Sequence, residues 1–257
     1  MATLLMYHAV PATRGATGEW DAHYAVARPD FRAQLQQLVA EGRRPGAVGG
    51  LAAGELPKDF VGITFDDGTV TDATEAAQVL LDLGLRADFF VNPGTVGSRG
   101  FVSWPQLREL ASAGFSVQSH AWSHRLLDDL TDTQIRQELD SSRREIEDRV
   151  GVAVTVFAPP GGRLPRYAVQ CAREVGYLRI CGSRPGLWTD PGAYVLPRMA
   201  VLASTTADAI SAWCSGRRRA VLRHEARHAA MWMAKKALGN QRYRRLRARL
   251  LGPGAME

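Results

Sequence analysis

Cysteine is scarce in this sequence. Cys171, Cys181 and Cys214 are odd in number, scattered and without Cys-x-x-Cys spacing, which argues against a disulfide framework and for a reducing compartment. No run of about 18 apolar residues occurs, so a hydrophobic membrane-spanning helix is not expected. The segment from Met1 to His8 lacks a basic start, and its apolar run is too short for a secretory leader. From these absences we expect a cytoplasmic protein. Internal repeats and low-complexity stretches are also missing from residues 1–216, which leaves no sign of a repeat array.

Acidic residues run short in one region only. Residues 217–257 carry 12 of the 32 Lys and Arg against 2 of the 26 acidic residues, leaving 20 basic and 24 acidic residues, −4, for residues 1–216. The overall charge of +6 therefore does not mark a nucleic-acid binder, because the positive charge sits on an appendage and the body has no stacking-aromatic or groove-helix motif. No nucleic-acid partner is expected. The composition divides the chain into a body, residues 1–215, and a basic extension, residues 216–257.

What is present suffices for one full core. With 257 residues, 46% of them hydrophobic, a single α/β barrel is ordinary. Apolar runs at 3–8, 61–65, 87–91, 115–119, 152–157, 178–182 and 194–201 read as strands, and 3.6-periodic segments at 31–41, 73–83, 104–113, 133–150 and 166–175 read as helices. Ser103 with Gln106 and Thr131 with Gln134 have capping-box spacing, and Gly42, Gly84, Gly114, Gly151 and Gly176 follow helices where left-handed caps are wanted. Residues 14–24 and 46–58 read as loops. Seven strands alternating with helices predict a parallel sheet curled into a (β/α) barrel.

On that frame the chemistry-bearing residues gather. His8, Asp66-Asp67, Asn92, His120 and residues 159–162 all follow predicted strand ends, the face where a barrel collects its catalytic loops. Two segments stand out: Thr64-Phe65-Asp66-Asp67-Gly68 and Ser119-His120-Ala121-Trp122-Ser123-His124. Two imidazoles four positions apart can point the same way, and one carboxylate of the Asp pair can complete three protein ligands for a metal. The other carboxylate is then free to act on water.

These segments, with the intervening Ala87-Asp88-Phe89-Phe90-Val91 and Trp104-Pro105-Gln106-Leu107, resemble the polysaccharide deacetylases, the NodB-homology domain of carbohydrate esterase family four. The resemblance extends over roughly residues 1–210. It implies a distorted (β/α) barrel in which Asp67, His120 and His124 hold a divalent metal, usually zinc, and Asp66 is the general base. The implied activity is metal-dependent removal of N-acetyl groups from an amino sugar in a glycan or glycolipid precursor. O-acetyl ester hydrolysis by the same site and an inactive glycan-binding module are the alternatives.

Two features depart from the family pattern. An Arg commonly precedes the Pro of its third motif and tethers the base, where this chain reads Phe157-Ala158-Pro159-Pro160-Gly161-Gly162; its last motif often supplies a His, absent from Leu196-Pro197-Arg198-Met199-Ala200-Val201. A replacement for the tether is available in Arg198, whose guanidinium can bind a carboxylate such as Asp66 through two bonds. His8 either protonates the leaving amine, positions substrate, or is a partly buried histidine bonded to backbone. A backbone N–H from residues 159–162 is a candidate oxyanion donor. Trp104, Trp122 and Trp188 are candidates for stacking on a sugar ring, with Trp104 also spaced for a buried helix face.

The basic extension reads as an amphipathic helix suited to an anionic membrane surface or a protein partner, or else to packing over the barrel with a solvated cationic face, which places the protein in the cytoplasm or at the inner face of a membrane. Its His224-Glu225-Ala226-Arg227-His228 matches HExxH. We set that match aside because no acidic or imidazole ligand follows before Glu257 and Arg217, Arg218, Arg219 and Arg223 crowd it.

Overall fold

Strands that are apolar on both faces must be covered on both faces. The computed structural model describes residues 1–52, 54–226, 229 and 233. In chain order its elements are β1 (Thr3–Tyr7), α1 (Arg28–Ala40), β2 (Arg44–Gly46), β3 (Phe60–Phe65), α2 (Ala77–Asp82), β4 (Asp88–Val91), α3 (Trp104–Ser112), β5 (Ser116–Ser119), α4 (Asp132–Val150), β6 (Val156–Phe157), α5 (Arg166–Val175), β7 (Arg179–Cys181), β8 (Val195–Leu196), β9 (Met199–Ala200) and α6 (Ala207–Cys214). A π-helical turn, Asp72–Ala76, leads into α2. Every residue of β1, β3 and β4 is buried.

All strand pairs are parallel, in the order β8-β7-β6-β5-β4-β3-β1-β9, with β2 pairing β3. The two ends of this path are neighbours in sequence, since only Pro197 and Arg198 separate Leu196 of β8 from Met199 of β9. Three Cα steps span at most about 11 Å, so the sheet must curl until its edges meet. The chain itself closes this distorted (β/α) barrel, with Arg198 in the seam. Alternation along the strands then divides the apolar side chains. Leu4, Val48, Phe60, Phe90, Val156, Trp188 and Leu196 form one cluster; Leu5, Tyr7, Ile63, Phe65, Phe89 and Phe157 pack with the helices in a larger one.

Several boundaries depart from expectation. The run at 194–201 is two short strands on opposite edges, because Pro197 cannot donate a ladder hydrogen bond. β2 and α6 were not expected, and the run at 152–157 keeps only Val156–Phe157 as strand. Both capping boxes form, and Gly151 and Gly176 close α4 and α5 in the left-handed region. Trp188 is a correction: it is buried and pairs with Ala2, before the start of β1, so it lies at the opposite end of the barrel from His8 and cannot line the mouth.

Residues 218–226 are helical, and His224 contacts Trp213 of α6 with ring centroids 4.9 Å apart. The remainder of the amphipathic-helix expectation, including His228 of the HExxH match, lies outside the described residues. No helix among the described residues is long and apolar enough to cross a membrane.

Candidate metal centre

Strand register assembles the site. Tyr7 pairs with Phe65, Val91 with Ser119 and Ser119 with Phe157, so the next residues, His8 and Asp66, Asn92 and His120, and Ala158, emerge together at the C-terminal mouth. The turn after β3 is tight. Asp67 and Gly68 both take positive φ, 79° and 68°, and a Cβ on Gly68 would come within 3.0 Å of Val91. Asp tolerates the left-handed region through its short polar side chain.

Asp67 Oδ1 lies 3.1 Å from His124 Nε2 and 3.4 Å from His120 Nε2, and one ligand atom from each of the three residues falls within 4.8 Å of the others. His120 Nδ1 donates to the Ala158 carbonyl at 2.8 Å, which in the neutral ring leaves Nε2 as a lone pair facing the carboxylate. Asp67 Oδ1 is buried and makes no aligned hydrogen bond although it touches both rings. Facing lone pairs repel unless a cation or proton lies between them. Tetrahedral zinc with ligand bonds of about 2.0–2.1 Å has donor separations of about 3.3 Å, so the donor set and its spacing suit a divalent cation. Burial alone would raise the Asp67 carboxyl; with a proton on the facing nitrogens, hydrogen bonds from His120 and then His124 outweigh it and hold the group well below the ordinary range.

The two imidazoles lie four positions apart, a spacing that can point both the same way. They converge through a loop in which Ala121 and His124 take φ of 62° and 58°.

Asp66 has different company. Arg198 Nη1 and Nη2 donate to its two oxygens at 2.6 and 2.7 Å, while Nη1 also donates to Thr64 Oγ1 at 3.0 Å and Nε donates to the Gly182 carbonyl at 2.8 Å. Both partners are buried. Burial pushes the Asp66 carboxyl up, but Arg198 and then His120 outweigh it, and the net shift is downward. His8 is buried against Tyr24, centroids 4.6 Å apart. Trp122 is half-buried in the loop between the two histidines, and Trp104 packs against the helical core.

Three neighbours were not singled out for these contacts. Asn92 Nδ2 donates to the carbonyls of His120 and Ala121. Asp72 is buried and bonded to Thr69; desolvation, with the charges of Asp67 and Asp66, pushes it well above the usual range. Glu138 of α4 binds the amides of Trp122 and Ser123 at 2.9 and 2.8 Å. Its signal was present in the sequence, because Glu138 lies on the same helical face as Ile135, Leu139, Ser142 and Ile146 and interrupts an apolar stripe.

Residues 53–180 match the polysaccharide deacetylase family model, an interval that holds Asp66, Asp67, His120 and His124 and excludes His8 and Arg198. The chain belongs to the polysaccharide deacetylase family. YxkH of Bacillus subtilis strain 168, a protein named for the same family, is 29% identical over 152 residues, 59% of this chain and 54% of that protein. Chitin deacetylase 1 of Cryptococcus neoformans is 29% identical over 133 residues, 52% of this chain but 26% of that protein. The alignments thus span about half of the first relative and a quarter of the second. In fold, this chain superposes on Streptococcus pyogenes deacetylase PplD with a TM-score of 0.71 at 23% identity, covering 80% of this chain and 95% of that one.

Proposed function

We propose that this chain is a metal-dependent hydrolase that removes N-acetyl groups from an amino sugar in a glycan or glycolipid precursor. One observation carries the proposal: of two adjacent carboxylates, Asp67 faces a pair of imidazole nitrogens at 3.1 and 3.4 Å, while Asp66 is held apart by Arg198 at 2.6 and 2.7 Å. Family membership supports the reading, as does the name of Chitin deacetylase 1, since chitin is an N-acetylated polymer.

Asp67, His120 and His124 would hold the cation, which when bound polarises an acetyl carbonyl and lowers the pKa of water beside it. Asp66 takes the proton of the attacking water on a lone pair left by Arg198, whose guanidinium fixes the carboxylate plane and keeps it ionised. A backbone N–H stabilises the developing oxyanion. Within residues 159–162, Pro159 and Pro160 have no N–H and that of Gly162 donates to the Pro159 carbonyl at 3.0 Å, which leaves the Gly161 amide as that loop's donor. His8 then protonates the departing nitrogen as the C–N bond breaks, giving acetate and a free amine. We place the reaction in the cytoplasm, with the basic extension at an anionic membrane face or on a protein partner.

The test is acetate release from N-acetylated and O-acetylated oligosaccharides before and after chelation. Chelator-sensitive release from the N-acetylated set supports the proposal. Release from O-acetylated sugars alone would make the chain an esterase, and metal binding with no release from either would make it a glycan-binding module.

A further inference from the structure

The residues between His120 and His124 are held from outside the loop. Trp122 N and Ser123 N donate to Glu138 Oε2 at 2.9 and 2.8 Å, Ser123 Oγ donates to Glu138 Oε1 at 2.5 Å, and Gly94 N caps the Trp122 carbonyl at 2.9 Å. Of the five residues 120–124, Ala121 and His124 are non-glycine residues in the left-handed region. Each costs roughly 1–2 kcal/mol against ordinary backbone, so an unsupported loop would relax. Three hydrogen bonds to one carboxylate, each of the stronger charge-assisted kind, oppose that relaxation.

We infer that Glu138 is a positioning residue for the metal centre: its carboxylate, anchored on α4, sets the backbone path that brings the His124 imidazole opposite Asp67 and His120. Glu138 does not touch the proposed ligand atoms. It acts through the backbone of the turn that carries one of them. α4 can supply this support rigidly because Ile135, Leu139 and Ile146 bury its flank in the core and Thr131 caps its first turn. The inference rests on the proposed metal site, so its test is read by metal binding rather than turnover.

Glu138→Ala, Glu138→Asp and Glu138→Gln are compared with the wild-type chain by zinc affinity in chelator competition and by the visible spectrum of the cobalt-substituted protein. Gln keeps an oxygen for the two amides and turns its NH2 toward Ser123 Oγ, which can accept. Asp is too short to reach both amides from the same helix. The inference predicts zinc affinity within about threefold of wild type for Gln and a loss of roughly 10–100-fold for Ala and Asp, with an altered cobalt spectrum, the range seen when groups behind metal ligands are removed. Metal-free unfolding midpoints identify any variant that fails to fold; should Ala be one, the contrast between Asp and Gln decides. Wild-type affinity and spectrum in both Ala and Asp would overturn the inference alone, while a wild-type chain that binds no zinc would overturn the metal centre with it.

Discussion

Arg198→Met tests how the barrel seam and the Asp66 carboxylate depend on one another. The substitution removes a fully buried guanidinium of similar length, and Asp66, itself 3% exposed, then faces the interior without its counter-ion. Breaking a buried pair by removing one partner costs about 3–5 kcal/mol, and the Gly182 carbonyl and Thr64 hydroxyl each lose a donor as well. A loss of about 4 kcal/mol corresponds to a fall of roughly 10 °C in Tm for a chain of this size. The assay is denaturant unfolding of metal-free protein for wild type, Arg198→Met, Asp66→Asn and the double variant. Because most of the loss arises from the stranded charge, Asp66→Asn should recover at least about 2 kcal/mol in the Arg198→Met background. An Arg198→Met protein within about 1 kcal/mol of wild type, or a strictly additive cycle, would refute the reasoning.

His8→Asn is expected to retain metal and to lower acetate release from N-acetyl sugars by about 10²-fold, with little effect on an aryl acetate whose leaving group needs no proton; equal losses on both would contradict an acid role. Asp88, buried at the start of β4 with its carboxylate accepting from Val48 N and Gly49 N, is pushed up by desolvation to about 6. Its folded pKa lies above the unfolded value, so the folded state holds this proton more tightly and stability falls as pH rises from about 4 through 6. The contribution is about 3 kcal/mol, and Asp88→Asn should remove that slope in denaturant titrations over this window; an unchanged slope would contradict it. Truncation after Ser215 should abolish binding to anionic vesicles, and wild-type binding should weaken with salt; salt-independent binding would exclude the electrostatic version.

Much of this arrangement was legible because strand ends carry it. His8, Asp66, Asp67, Asn92 and His120 each follow an apolar run, and parallel pairing alone aligns those ends. Arg198 was legible as a substitute tether because a guanidinium beside a late strand has few other buried partners in reach. What escaped notice depends on contacts distant in sequence. β2 is Arg44-Pro45-Gly46, with no strand propensity, and exists because the edge of β3 pairs it. Trp188 looked like a mouth residue until pairing with Ala2 placed it at the far end. The left-handed path from His120 to His124 is invisible in four-residue spacing, because Glu138, fourteen positions beyond His124, supports it.

Metal content per chain in wild type and in Asp67→Ala tests the central claim most directly. The account predicts one divalent ion per wild-type chain after dialysis against zinc, none in Asp67→Ala, and one still bound in Asp66→Asn. A wild-type chain that retains no ion, or an Asp67→Ala variant that retains as much as wild type, would contradict it.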